Sequence, residues 1–256
     1  MNLAYVIVAA RAPYFVSGRI TLHTLRRFGG FDGRVIALSD RPWRGPAGVD
    51  VHVLDRRRLV PPALYKAAIR DVVRLEDYEF VVYLDADILV RGPLAPFLRR
   101  ARTRDFVCAD DMGNTVTEGY CGAALTPEER RRSAWMPGAN GGFFCARGDR
   151  LSAIFDLWEA TAAARQPPYR DGFDQPALNA AIVRAQLDAD IVLDAMWFPR
   201  WHPKSFKAAG RRASSLAPLV HWNSVRMPYQ LARMAFGWAR LCLDPSVRRR
   251  FDESEQ

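Results

Sequence analysis

Residues 80–89 read Phe-Val-Val-Tyr-Leu-Asp-Ala-Asp-Ile-Leu: an unbroken apolar run that ends in Asp85-Ala86-Asp87. A short, continuous apolar run bounded by polar residues is the pattern of a strand buried on both faces. In open α/β sheets, ligands bind beyond the carboxyl ends of the strands. Two carboxylates at such an end, one residue apart, can converge on a single hard cation. An Asp-x-Asp triplet alone says little, and a solvated strand-to-loop turn would also accept it. Its place at the end of an apolar strand is what gives it meaning.

Working outward, residues 3–10 form another continuous apolar run, read as a buried first strand. A helical pattern follows, with Ile20, Leu22, Leu25 and Phe28 on it, ending at Gly29-Gly30. Residues 34–39 and 50–54 read as further strands, 64–75 as a helix, and 105–109 and 142–146 as strands. Residues 150–164 and 175–185 read as helices. Strands alternating with helix-length segments predict an α/β fold with a mostly parallel central sheet and helices on both faces. Residues 110–138 read as a long polar loop, and 197–217 as irregular, rich in Pro and Trp. The expected division is a domain over 1–217 and a C-terminal helical extension over 218–256.

The 256 residues, 49% of them hydrophobic and 25% charged, suffice for a packed core and exclude a disordered chain or a small disulfide scaffold. The net charge of +9 raises a nucleic-acid reading. The arginine runs, such as Arg56-Arg57-Arg58 and Arg130-Arg131-Arg132, are scattered and lack interleaved aromatics or a recognition motif. They read as solvated faces, leaving no nucleic-acid partner but room for an anionic ligand. The four cysteines show no metal-binding spacing, and Cys108 and Cys145 sit in apolar runs as buried thiols. The opening apolar run is too short to span a bilayer and lacks a basic leader, so the expected location is cytoplasmic.

Beyond Asp85-Ala86-Asp87, several landmarks stand in a definite order: Tyr14 after the first strand, Lys66 and Arg70 ahead of the central strand, Asn140-Gly141-Gly142 opening an apolar strand, Asp174-Gln175 followed by Ala177-Leu178-Asn179, and the late pair His221-Trp222. In this order the chain resembles the GT-A (Rossmann-like) nucleotide-sugar glycosyltransferases, most closely the family 8 group that includes glycogenin and the lipooligosaccharide galactosyltransferases. The resemblance implies a metal-dependent transfer of a hexose from a nucleotide-diphosphate sugar, with a UDP-sugar as the expected donor, to an acceptor it does not identify. Retention of anomeric configuration is implied as well.

By the same resemblance, Asp85, Asp87 and His221 would hold manganese or magnesium, and an imidazole favours manganese. Lys66 and Arg70, four residues apart, would share one helix face and approach the donor. Tyr14 would stand at the donor site, and Asn140 would bind sugar hydroxyls, with Gly141 and Gly142 permitting close backbone approach. Asp174 and Gln175 would position the sugar and stabilise developing positive charge. An N-cap role for Asp174 ahead of Pro176 is compatible with this. The family's late His-x-x-Gly-x-x-Lys-Pro is altered here: Ser224 replaces the glycine and Met227 the lysine. Arg226, one residue earlier, would supply the missing charge to the diphosphate. The long loop over 110–138 and residues 197–201 would build the acceptor side.

Two other readings were weighed. A haloacid dehalogenase-type phosphatase would use Asp85 as nucleophile, but that motif belongs on a first strand, followed by a hydroxyl residue, and here Ile88-Leu89-Val90 follow. A non-catalytic basic α/β binding module would leave the two acids unexplained. At the end of the chain, Leu231, Met234, Ala235, Trp238, Leu241 and Cys242 fall on one helical stripe, with Arg233 and Arg240 off it. Such a stripe serves either docking on the protein's own core or peripheral contact with an anionic membrane surface.

Overall fold

A computed structural model describes residues 1–59, 64–118, 121–164, 174–193, 195–197, 217–222 and 227–243, with backbone only at 197 and 227–230. Arg226 and the segment over 198–216 lie outside the described residues. In chain order the elements are β1 (Leu3–Val8), α1 (Ala12–Phe28), β2 (Arg34–Ser39), β3 (Asp50–Val53), the short α2 (Arg56–Leu59) and two 3-10 segments, Tyr65–Asp71 and Leu75–Asp77. Then come β4 (Phe80–Asp85), β5 (Ile88–Val90), α3 (Ala95–Ala101), β6 (Phe106–Thr115), a 3-10 turn (Cys121–Ala124), α4 (Pro127–Ser133) and β7 (Pro137–Arg147). The last are α5 (Gly148–Ala163), α6 (Gln175–Ala185), β8 (Ala189–Val192), β9 (Met196–Trp197), β10 (Leu219–His221) and α7 (Met227–Leu243).

Seven strands form the central sheet in the order β3-β2-β1-β4-β7-β6-β8. The β1–β2, β1–β4, β2–β3 and β6–β8 pairs are parallel, and β7 runs antiparallel to both β4 and β6. A small second sheet has the order β5-β10-β9. The apolar runs become strands because both faces of the main sheet are covered, leaving every residue of β1 buried. On one face Tyr5, Tyr83 and Phe144 meet Phe155, Trp158, Leu178 and Ile182 from α5 and α6. On the other, Val6, Leu84 and Phe143 meet Leu22 and Leu25 of α1 and Phe97 of α3. Phe144 touches five aromatic rings at centroid distances of 5.1–6.4 Å. Burial of each such side chain is worth about 1.5–3 kcal/mol.

Three expectations are corrected. The helix over 64–75 is 3-10 in two pieces. It halts at Val72 and Val73, whose N–H groups both turn back to the Ile69 carbonyl, and β-branched pairs extend a helix poorly. The strand over 142–146 begins earlier, at Pro137. The loop over 110–138 is shorter than expected, since β6 runs on to Thr115 and α4 fills part of the rest. These strand segments look unlike strands in sequence because their buried residues include polar ones, Asp110, Asp111 and Asn140.

Part of the stripe on α7 is used inside the fold, while Ala235 on it is exposed. Met234 and Leu241 are buried with Ile20, Leu89, Val220 and Trp222, and Trp238 packs against the His23 ring at 5.2 Å. Among the described residues no helix is long and apolar enough to cross a membrane.

α4 carries a capping box: Thr126 Oγ1 accepts from the Glu129 N–H and Glu129 Oε2 from the Thr126 N–H. Arg184 of α6 holds the same carboxylate at 2.8 Å. Chiefly through Arg184, the Glu129 carboxyl is held down at about 2, below its ordinary 4.5. A depressed carboxyl stabilises the fold above the unfolded value and ceases to do so as pH falls through the folded one. Glu129→Ala is therefore expected to lower unfolding free energy by about 1–2 kcal/mol at pH 7. In urea titrations that deficit should shrink as pH falls from about 4.5 to about 2. A deficit that did not change with pH would assign it to lost packing.

Candidate active site

The site forms where β4 ends. Asp85 is the last residue of β4, beside Ile7 of β1. The chain turns through Ala86, whose carbonyl accepts a 2.8 Å hydrogen bond from the buried Thr21 hydroxyl of α1. It then passes Asp87 and enters β5, where Ile88 pairs with His221 of β10. The Trp222 N–H donates to the Asp87 carbonyl. This short antiparallel ladder carries a residue distant in sequence onto the acidic pair. His221 Nε2 lies 3.1 Å from Asp87 Oδ1 and 3.5 Å from Asp85 Oδ2. One ligand atom from each of Asp85, Asp87 and His221 falls within 4.8 Å of the others.

The charges of Asp87 and of other neighbours bear on Asp85 and His221. Burial raises the Asp85 carboxyl above its ordinary range despite the pull of Lys66 and His221. Burial alone would lower the His221 imidazole, but Asp87, by charge and hydrogen bond, together with Asp85, leaves it raised. The Tyr83 hydroxyl, two residues back on β4, donates to Asp85 Oδ1. That leaves Oδ2 as the oxygen nearer His221.

Asn140-Gly141-Gly142 of β7 runs beside this group. A Cβ on Gly142 would sit 2.6 Å from His221 Cε1 and 3.0 Å from Asp85 Oδ2. Side chains alternate along a strand, and Gly141 faces a second cluster. A Cβ there would lie 3.1 Å from Lys66 Nζ and 3.7 Å from Asp174 Oδ1. Lys66 is 2% exposed, forms an ion pair with Asp174 Oδ2 at 2.6 Å and stands 5.2–5.5 Å from the ring centroids of Tyr65, Tyr83 and Trp158. Three ring faces and one carboxylate are a fit setting for a buried ammonium.

Asp174 occupies the cap position of α6, but its side chain makes no capping hydrogen bond; it turns to Lys66 instead. Trp158 Nε1 donates to the Asp174 carbonyl at 2.9 Å. One turn on, Asn179 is fully buried and exchanges hydrogen bonds with both backbone groups of Ala139. The second half of that motif therefore fastens α6 to β7. Gln175 and Asn140 are buried nearby. Tyr14 is half-buried, and its phenol is pushed up by burial and then by the charges of Asp87 and Asp85.

Arg70 is not brought to the site. Its guanidinium binds Asp156 and Glu159 of α5 at 2.6 and 2.7 Å. The shared face expected for Lys66 and Arg70 holds for an α-helix. At three residues per turn, positions four apart diverge by roughly 120°, and the two side chains part. The sequence reading passed over Asp110 and Asp111, buried on β6, and Cys121, whose thiol bonds both Asp111 and Gln175. The signal was present: an apolar run over 106–109 leads straight into two acids, much as residues 80–84 lead into Asp85 and Asp87.

No family model and no curated protein sequence matches the chain. Solved structures do. An active-site mutant of LgtC aligns with a TM-score of 0.58 at 14% identity, covering 93% of this chain and 96% of that one. The galactosyltransferase LgtC in complex with donor and acceptor sugar analogs aligns with a TM-score of 0.57 at 13% identity, covering 97% and 95%. The likeness spans nearly all of both chains and shows a shared fold, the GT-A fold.

The two glycines should differ in their tolerance of a methyl group. Gly142→Ala drives Cβ into the ring of His221 and should weaken binding of an added divalent cation, with manganese as the probe, by at least about tenfold in calorimetry, with a stability loss of about 1–3 kcal/mol. A Cβ in Gly141→Ala meets Lys66 Nζ at 3.1 Å and then Trp158 and Asp174 at ordinary contact distance, none of them in the acid–imidazole group, so this variant should keep affinity for the added cation within roughly threefold of the parent. Equal affinities for the two variants would show that Gly142 does not shape the cluster.

Proposed function

We propose that this chain is a metal-dependent glycosyltransferase that moves a hexose from a nucleotide-diphosphate sugar, with uridine as the base, to an acceptor hydroxyl, with retention of configuration. The observation that carries the reading is the Asp85–Asp87–His221 group at the carboxyl end of the central strand, backed by a side-chain-free stretch of β7 and flanked by the Lys66–Asp174 pair. A shared fold with a galactosyltransferase solved with donor and acceptor sugar analogs supports it.

The donor set fits a divalent ion: two carboxylates and one imidazole nitrogen, held where Gly142 leaves no side chain in the way. The mixed oxygen and nitrogen set favours manganese over magnesium. Such an ion, when bound, neutralises diphosphate charge and makes the nucleotide a better leaving group. Asp85, Asp87 and His221 hold it, and Tyr14 lines the acidic side. Arg226 is assigned to the diphosphate on its place in the sequence. Asn140 binds sugar hydroxyls, and Lys66, for which Gly141 makes room, keeps Asp174 in place against the sugar. Arg70, committed to α5, is left out of the donor set.

In the transfer, the bond from the sugar's anomeric carbon to the phosphate oxygen breaks, its electron pair leaving with the nucleotide. The acceptor oxygen bonds that carbon on the same face and gives its proton to the departing phosphate oxygen. Asp174 and Gln175 position the sugar and face the positive charge that develops between these events.

The test is hydrolysis of a panel of nucleotide sugars in manganese, since slow donor hydrolysis needs no acceptor. Asp85→Asn and Asp87→Asn should each abolish metal-dependent donor binding while leaving the melting curve close to the parent's. Gln175→Ala should lower kcat by roughly 10²-fold with donor KM within about threefold, the mark of a group acting mainly in the transition state. Unchanged donor affinity in both aspartate variants would overturn the reading, as would release of phosphate from a simple phosphomonoester without donor hydrolysis.

A further inference from the structure

Behind Gln175 lies a buried polar chain in which Asp111 and Cys121 have no part in the reaction as described. Asp111, 1% exposed, takes hydrogen bonds on both carboxylate oxygens. Asn140 Nδ2 donates to Oδ1 at 3.1 Å, and Cys121 Sγ and Asn114 Nδ2 donate to Oδ2 at 3.2 and 3.3 Å. On its other side, Cys121 Sγ accepts from Gln175 Nε2 at 3.5 Å. The thiol is seated at the head of its 3-10 turn against Gly138, where a Cβ would come within 3.2 Å of the sulfur.

The direction of each bond follows from the carboxylate, which only accepts. The thiol must therefore donate to Asp111 and offer a lone pair to its other neighbour. The Gln175 amide must answer with its NH₂ group, which turns its carbonyl oxygen away from the sulfur. The Cys121 thiol is kept protonated, its pKa pushed up by burial and then by Asp111. Asn140 obeys the same anion: its NH₂ faces Asp111 and its Oδ1 accepts from the Gly142 N–H at 2.8 Å. The chain thus runs from Gln175 to the glycine that abuts His221 and Asp85.

We propose that Cys121 is a positioning residue that fixes the amide of Gln175 with its carbonyl oxygen toward the reacting sugar carbon, anchored by Asp111. This rests on the assignment of Gln175 to the donor sugar. An amide held this way turns the negative end of its dipole to the charge that develops in the transition state; the flipped amide would present N–H groups and oppose it. Cys121 does not touch the substrate; it acts through the glutamine.

Two measurements test it, and one needs no substrate. The side-chain NH₂ resonances of Gln175, identified by their loss in Gln175→Ala, should exchange slowly in the full-length parent and in Cys121→Ser, and rapidly in Cys121→Ala. In manganese with the donor that the parent hydrolyses, Cys121→Ala should lower kcat by roughly tenfold or more with donor KM nearly unchanged. Cys121→Ser, which keeps a donor and an acceptor, should restore most of the loss. Resonances that do not differ between parent and Cys121→Ala overturn the proposal, whether or not the protein hydrolyses a nucleotide sugar. So does a change confined to KM, or a serine variant that folds and protects the amide but stays as slow as alanine. Absence of any donor hydrolysis by the parent, with the amide protected as expected, would count against the glycosyltransferase reading and leave the thiol's hold on Gln175 established.

Discussion

Two carboxylates side by side at the end of a buried strand are the constraint from which the rest of this site follows. Burial and the neighbouring Asp87 both oppose the charge on Asp85, and a buried charge without compensation is costly. The fold supplies compensation from three separate parts of the chain. His221 arrives on β10, Lys66 on the 3-10 segment before β4, and the Tyr83 hydroxyl from β4 itself. The turn between the acids is held from behind by Thr21, so the pair keeps its geometry without depending on surface loops.

β7 is the hub of this arrangement. Inserted antiparallel between β4 and β6, it brings one polar side chain and two hydrogens into the middle of the site. Gly142 makes room for the histidine and Asp85, and Gly141 for the lysine. Asn179 then fastens α6 to the same strand, which delivers Asp174 and Gln175 within reach. The Asp85–Asp87–His221 group and the Asp174–Gln175 pair thus abut one rigid backbone element, the kind of support that holds groups in register.

Parts of this were legible in the chain. The strand ending in Asp85-Ala86-Asp87 declares itself through an apolar run and its polar end, and β1 and β2 through similar runs, while their order in the sheet came only with the structure. The α7 stripe was legible as a stripe, though not its partner, which proved to be α1 and the β5–β10 ladder. Arg70 was grouped with Lys66 because an α-helical repeat was assumed; the tighter helix sends one inward and the other to α5. Asp110 and Asp111 were read as loop, because a buried strand that carries acids and an asparagine has lost the apolar signature by which strands are recognised, and Cys121 because it stands on a single 3-10 turn too short to show a period.

The sequence by itself determined the fold class, the central strand and the acidic pair at its end, since these depend on local periodicity and on residues adjacent in the chain. Only the tertiary structure decided which distant groups complete the site: that His221 reaches both aspartates, that Lys66 pairs with Asp174, and that a thiol joins Asp111 to Gln175. The reason is physical. Each of these contacts is fixed by strand register, helix pitch and the absence of a Cβ at one position, and none of these quantities is carried by the residues in contact.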